Sequence, residues 1–166
     1  HEGAAKSSRV ERMSGYAELV MERYPMVSKD CFLVVSNSGI NPFAIEMAQI
    51  ALERQVKVLG ISSFAYKTKP SRHKDGLHLQ EVCDICIDNH VPDGDAAITV
   101  CTDGTKAGPI SSIASLAIAD TIMLSACQKL RERGIEPEVF RSGNCVGGDI
   151  HNQKLIQRFG ARVRSL

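Results

Sequence analysis

The stretch CFLVVSNSGINPFAIEMAQIALER, residues 31–54, decides how the chain folds. Its first five residues, Cys31 to Val35, are wholly apolar. They are bounded by Lys29-Asp30 on one side and Ser36-Asn37-Ser38-Gly39 on the other. A run that short and that apolar suits a strand covered on both faces, as in a parallel sheet. Asn41-Pro42 then opens a helix, with asparagine as N-cap and proline in the first turn. The helix runs to about Arg54 and sets Phe43, Met47, Ile50 and Ala51 on one face.

Working outward, the same alternation repeats. Val56 to Ile61 is the next strand, ending in Ser62-Ser63. A polar loop follows through Lys67, Lys69, Pro70, Ser71, Arg72, His73 and Gly76. Residues 82–88 read as a further strand, less buried because Asp84 interrupts it. Pro92-Asp93-Gly94-Asp95 is a turn, and 96–101 a short strand. Gly104 to Gly108 leads into a long helix, 110–132. It is apolar nearly all round, as a helix buried in a core or at an oligomer interface would be. Gly134 stands where a helix C′ residue belongs. Residues 138–142 form a last extended piece, and 149–159 a last helix. Upstream, Val10, Met13, Ala17, Val20 and Met21 recur at helical spacing over 5–24, and Pro25 closes that helix. Short apolar strands alternating with helices predict a single α/β domain over 1–166 around a parallel sheet.

Composition narrows the function. The 166 residues carry 20 Lys+Arg against 19 Asp+Glu, a net charge of +1. Nucleic-acid and membrane-surface proteins rely on a clear basic excess, so neither partner is expected. Cys31 and Cys127 lie inside apolar runs, where a free thiol behaves as a small hydrophobe. The six cysteines therefore read as free thiols of a reducing, cytoplasmic setting. No signal peptide is visible. The most apolar segment, 110–127, is interrupted by Ser111, Ser112, Ser115, Asp120 and Ser125, so no stretch is expected to span a bilayer. The chain begins at His1, not Met, and reads as a processed or truncated product or as the ordered part of something longer.

In open α/β sheets, ligands bind beyond the carboxyl ends of the strands. Here that edge carries Ser36, Asn37, Ser38 and Asn41. Gly39 lets the backbone come close, and a helix N-terminus supplies free N–H groups. A phosphate fits this chemistry; so does a routine strand-to-helix turn. There is no Walker lysine and no Gly-x-Gly-x-x-Gly, so nucleotide fingerprints are absent. Ser62 and Ser63 end the adjacent strand and share the pocket or cap the next turn.

A hydroxyl-rich Ser-x-Ser-Gly-x-Asn loop, a helix, then a second strand ending in serine resembles the sugar isomerase (SIS) domain. The resemblance covers about 30–148. It extends to His1-Glu2-Gly3-Ala4, Ser71-Arg72-His73, Gly94-Asp95-Ala96, Gly108-Pro109-Ile110-Ser111-Ser112, Phe140-Arg141-Ser142-x-Asn144 and Gly147-Gly148-Asp149. Together these are similar to bacterial SIS proteins of the phosphosugar and phosphoheptose isomerase kind. The resemblance implies a three-layer αβα sandwich around a mostly parallel five-stranded sheet. It also implies phosphosugar binding at the serine-rich loop, and a homodimer with sites near the interface. In that family a strand and helix precede the His-Glu-Gly-Ala segment, so the first strand of the fold is expected to be absent from this chain.

The remaining candidates take their roles from that resemblance. A carboxylate can remove the proton beside a carbonyl, the step that interconverts aldose and ketose through an enediol. Glu2 is similar to the functional glutamate of the related etherases and is the expected base; a first-turn glutamate placed by the helix dipole is the other reading. Lys106 resembles the lysine that opens the corresponding helix in the etherases, and would assist, or is a solvated loop lysine. Ser111 and Ser112 bind phosphate or cap the helix. His73 is a second acid/base candidate or a surface histidine, as is His151. Cys83-x-x-Cys86 has zinc or redox spacing. Inside a strand its two residues would point to opposite faces, so neither metal nor cofactor is assigned. The expected activity is sugar-phosphate isomerisation. The alternatives are a non-catalytic phosphosugar sensor and an etherase-like lyase.

Overall fold

A computed structural model of the chain describes residues 3–163. Its elements run α1 (Ala4–Val10), α2 (Tyr16–Met21), β1 (Cys31–Val35), α3 (Pro42–Glu53), β2 (Lys57–Ser62), β3 (Ile85–Asp88), β4 (Ala96–Thr99), β5 (Lys106–Pro109), α4 (Ser111–Glu132) and α5 (Gly148–Phe159). The chain divides into two compact units, His1–Ala119 and Asp120–Leu166.

In the first unit, β1, β2 and β3 form a parallel sheet in that order. Leu33 sits level with Leu59 and Ile85, and Val34 with Gly60 and Cys86. The α3 crossover follows from the sequence that opens it. Pro42 is fixed near helical φ and lacks an N–H that the first turn would leave unpaired. Ile45, Ala48 and Ala51 then fall on one buried stripe. The two alanines hold the helix close to the strands, and the core closes with Met21, Val34, Val56, Val58 and Leu79.

The sequence expectation of strands covered on both faces is met on β2. There every residue from Val58 to Ser62 is buried except half-buried Leu59. β1 differs: it lies at the sheet edge, with Cys31 and Val35 exposed.

Four further differences follow. The expected helix over 5–24 is two helices. Gly15 adopts a left-handed φ of 81°, and its N–H donates to Glu46 Oε2 at 2.8 Å. The turn lets α2 lay Ala17 and Met21 against α3, with the Tyr16 and Phe43 rings 5.6 Å apart.

Five strands are present among the described residues, but they do not share one parallel sheet. β4 and β5 form a separate antiparallel hairpin, pairing Ile98 with Ala107 and Thr99 with Lys106. Asp103-Gly104 makes the turn: the Thr105 N–H donates to Asp103 Oδ1 at 2.9 Å, and Gly104 takes φ 87°.

Among the described residues, the extended piece at 138–142 has no strand partner. It is stitched instead to α5, where Asn152 bonds both the N–H and the carbonyl of Arg141, at 2.8 and 2.7 Å. His151 Nε2 lies 3.0 Å from the Val139 carbonyl, and Arg158 pairs with Glu138.

Helix α4 forms where expected, but it is not buried within this chain. Ser115 is its one buried residue among those described, while Ile113, Leu116, Met123 and Leu124 are 61–71% exposed. By length and composition it is apolar enough to cross a membrane, contrary to the reading of its serines as interruptions. Serine costs little on that measure, and Asp120 is the sole charge before Lys129. Helices covered by other protein pass the same measure.

Candidate functional site

The polar ends of all three parallel strands meet at one edge. Parallel pairing continues past β1, where the Ser36 N–H donates to the Ile61 carbonyl at 3.0 Å. One residue on, the Ser63 N–H donates to the Asn37 carbonyl at 2.7 Å. The 36–41 loop is thus held against Ser62-Ser63 by the sheet's own ladder.

Gly39 is the pivot, with φ 62°. A side chain there would press on Leu79 Cβ at 3.3 Å and Ser62 Cβ at 3.4 Å. The Gly39 N–H donates to Ser36 Oγ at 3.3 Å, and its carbonyl accepts from Leu79 at 2.8 Å.

Every predicted site residue except Glu2 lies among the described residues. Ser36, Asn37 and Ser38 are half-buried on the loop, where a ligand can reach them. Ser62 and Ser63 are buried. The Ser63 hydroxyl donates to the Val91 carbonyl, and Ser62 Oγ lies 3.5 Å from Cys86 Sγ. Asn41 flanks α3 in an extended conformation, but its side chain makes no capping bond. Its Oδ1 accepts from Arg72 at 2.9 Å instead. The Phe43 N–H in the first turn of α3 donates to the Glu11 carbonyl at 3.2 Å, so that donor is not open to an anion.

One cleft opens beside this edge and a second lies along α2 and α3. The first, of about 430 Å3, is lined by Ile40, Tyr66, Lys69, Arg72 and Asp93. It sets two cations beside the loop, although Lys69 is paired with Asp93 at 2.7 Å. That bond holds the Asp93 carboxyl below its ordinary range and lifts the Lys69 ammonium above its own. The other cleft, of about 320 Å3, is lined by His73 with Glu18, Glu46 and Glu53. His73 is buried, its Nδ1 accepting from the Asp75 N–H at 3.3 Å.

The α4 end of the site is already capped. Asp95 accepts from the N–H groups of Ile110 (3.0 Å) and Ser111 (2.7 Å) and from the Ser111 hydroxyl (2.6 Å). A carboxylate thus occupies the position where the sequence suggested a phosphate. Ser112 is exposed. Lys106 projects from the hairpin, exposed, not from a loop. Glu2 lies outside the described residues.

Sequence reasoning missed Asn89 as a site residue. It follows β3 as Ser36 follows β1, and is buried. Its Nδ2 donates to Asn37 Oδ1 at 3.0 Å and to Ser115 Oγ at 3.3 Å, and its Oδ1 accepts from Val91 at 3.0 Å. The available signal was the repetition of polar residues at successive strand ends. Arg72 stood inside a quoted motif but was given no role.

Residues 1–63 match the family model described as SIS domain, and the match ends on Ser63. A UPF0309 protein of Caldanaerobacter subterraneus subsp. tengcongensis is 38% identical over 169 residues, covering 100% of this chain and 69% of its own length. This chain belongs to the UPF0309 family of SIS-domain proteins. Another UPF0309 protein, from Geobacillus thermodenitrificans, is 39% identical over 98% of this chain and 66% of its own. One from Streptomyces avermitilis is 36% identical over 96% and 64%. The chain therefore spans about two thirds of the length of the curated relatives it matches. Within the SIS domain match lie β1, the 36–41 loop, α3 and β2, the elements that build the strand-end edge.

Proposed function

We propose that this chain is the greater part of a single SIS domain that binds a phosphosugar. The carrying observation is the convergence of the Ser36–Asn41 loop with Ser62-Ser63 at the carboxyl edge of the sheet, inside the SIS match. In this reading Ser36, Asn37, Ser38 and the Gly39 backbone hold the phosphate. Asn41, Ser62 and Ser63 fix the loop, and Arg72 adds charge beside it. The reaction we propose for the whole protein is aldose–ketose isomerisation. Glu2 takes the C2 proton, an enediol forms, and the proton returns at C1, with Lys106 or His73 polarising the carbonyl. The three parallel strands would belong to a five-stranded sheet in an αβα sandwich.

Calorimetric titration with a panel of phosphosugars tests the binding step. Ser38→Ala and Ser36→Ala each remove one hydrogen bond to a charged group. Such a bond contributes ~1.5–3 kcal/mol, so affinity should fall roughly 10- to 100-fold. Unchanged affinity in both variants removes the loop from the site.

We also propose that the protein acts as a cytoplasmic homodimer. Ile113, Leu116, Met123 and Leu124 recur at helical spacing along α4, and all are exposed. An exposed stripe of that kind needs a cover, and a second copy supplies one. Light scattering at micromolar concentration should give twice the chain mass; a clean monomer overturns the dimer.

A further inference from the structure

The i, i+3 argument that set Cys83 and Cys86 on opposite faces assumed that both lie within one strand. They do not. β3 starts at Ile85, so Cys83 sits in the bend between the 3-10 turn at Leu79–Glu81 and the strand. Cys86 pairs in register with Gly60 of β2. Because Gly60 has no side chain, sulfur fills the space beside it. The point a Cβ would occupy lies 2.7 Å from Cys83 Sγ and 3.0 Å from Cys86 Sγ. Both cysteines are half-buried, so a small solute reaches them. The Ser62 hydroxyl stands 3.5 Å from Cys86 Sγ.

We propose that Cys86 and Cys83 are a hydroperoxide-reactive dithiol, Cys86 the thiol oxidised first and Cys83 the one that resolves it to an intramolecular disulfide.

The contacts distinguish the two sulfurs. The Ser62 hydroxyl, 3.5 Å from Cys86 Sγ, can donate to a thiolate there, and the neighbouring Cys83 thiol acts in the same direction. Burial and Asp88 oppose that effect, while Lys67 reinforces it, and the Cys86 thiol falls below its ordinary range. The hydrogen bond to Cys86, with burial and the charge of Asp84, pushes Cys83 up. The surroundings favour the thiolate at Cys86 over Cys83, and thiolate is the nucleophile. Burial and Asp84 raise Cys31, which makes it a poor competitor.

The chemistry balances. The Cys86 thiolate attacks one oxygen of a hydroperoxide. An S–O bond forms as the O–O bond breaks, and the departing oxygen takes a proton to leave as water or an alcohol. Cys86 is now a sulfenic acid. Cys83, losing its proton, attacks that sulfur. The S–S bond forms, the S–O bond breaks, and hydroxide leaves with the proton as water. Two thiols lose two electrons and two protons, and the hydroperoxide gains them. Disulfide formation would also take Cys86 from the Ser62 hydroxyl. The dithiol chemistry itself does not depend on what the 36–41 loop binds.

The test uses the reduced protein, freed of reductant and treated with stoichiometric hydrogen peroxide at pH 7. Titratable thiols should fall by two and return with dithiothreitol. Proteolysis before aspartate cuts between Cys83 and Asp84, so fragments 75–83 and 84–87 should stay joined until reduced. In Cys83→Ser, dimedone should label Cys86; in Cys86→Ser, peroxide consumption should slow at least tenfold. Iodoacetamide should alkylate Cys86 at lower pH than it alkylates Cys83 in the unmodified chain, a readout that needs no variant to fold. A disulfide between other cysteines, or uniform reactivity of all six thiols, overturns the proposal. So does a Cys83→Ser chain whose Cys86 takes no dimedone.

Discussion

Glu2→Gln, in a protein of the family's full length, should lower isomerase turnover ~100- to 10,000-fold, the usual contribution of general acid–base catalysis. In the proposed reading the phosphate is anchored on the 36–41 loop, and this fixes how far the sugar's C2 hydrogen lies from the strand ends. A base must then stand within hydrogen-bond reach of that hydrogen. The segment that follows Glu2 is tied to this region: Glu11, just past α1, accepts from the Phe43 N–H in the first turn of α3. Glutamine preserves shape and polarity but cannot take a proton. Phosphosugar affinity should therefore stay within about twofold, while exchange of the C2 proton with deuterated solvent stops. Proton NMR on an accepted substrate reads this directly. Exchange at the unmodified rate would move the base to another group. If the unmodified protein exchanges no phosphosugar's proton, isomerisation gives way to the sensor reading.

The parts of the fold that were legible in the sequence are those whose signal is local. β1 was read at 31–35 and observed there; α3 and β2 lie within a residue or two of their expected bounds. β1 is a continuous apolar run closed by polar residues, β2 is apolar from Val58 to Ile61, and α3 carries its apolar residues at helical spacing, so the burial of each depends on little beyond its own composition. β5 failed that test. Lys106-Ala107-Gly108-Pro109 holds no β-branched or aromatic residue, so its pairing is imposed by the Asp103-Gly104 turn and not by its own preference. The break between α1 and α2 was hidden because Met13 keeps helical spacing across it, while Gly15 sets the geometry.

For the site, residue types at strand ends could be read, but their commitments could not. Ser111 looked open to an anion until Asp95, 16 residues away, was found on it. Asn41 looked like a helix cap and is held by Arg72, 31 residues on. Cys83 changed meaning because β3 began two residues past it. Long-range partners of this kind leave no periodic trace in a single sequence.

Asn89 is the case with the largest structural consequence. It joins the Asn37 side chain, 52 residues away, to Ser115 in α4, and accepts from the Val91 N–H. Val91 and Ser115 are buried, so water does not readily replace what Asn89 supplies. Asn89→Ala removes three hydrogen bonds and leaves buried groups unpaired, each at ~1–3 kcal/mol. Asn37 is half-buried and recovers some hydration, so the net loss should be about 3 kcal/mol, a large share of a typical domain's 5–15 kcal/mol. Thermal unfolding should shift down by roughly 6–12 °C. Asn89→Asp separates packing from hydrogen bonding. Its carboxylate still accepts from Val91, and both Asn37 and the Ser115 hydroxyl can turn to donate to it. It should therefore lose less than half as much. The loop should register the change as well: with Asn37 untethered, phosphosugar affinity falls in Asn89→Ala although Asn89 itself holds no phosphate. A melting temperature within about 1 °C of the unmodified protein would mean that the Asn37–Asn89–Ser115 chain is not what keeps the loop and α4 in place.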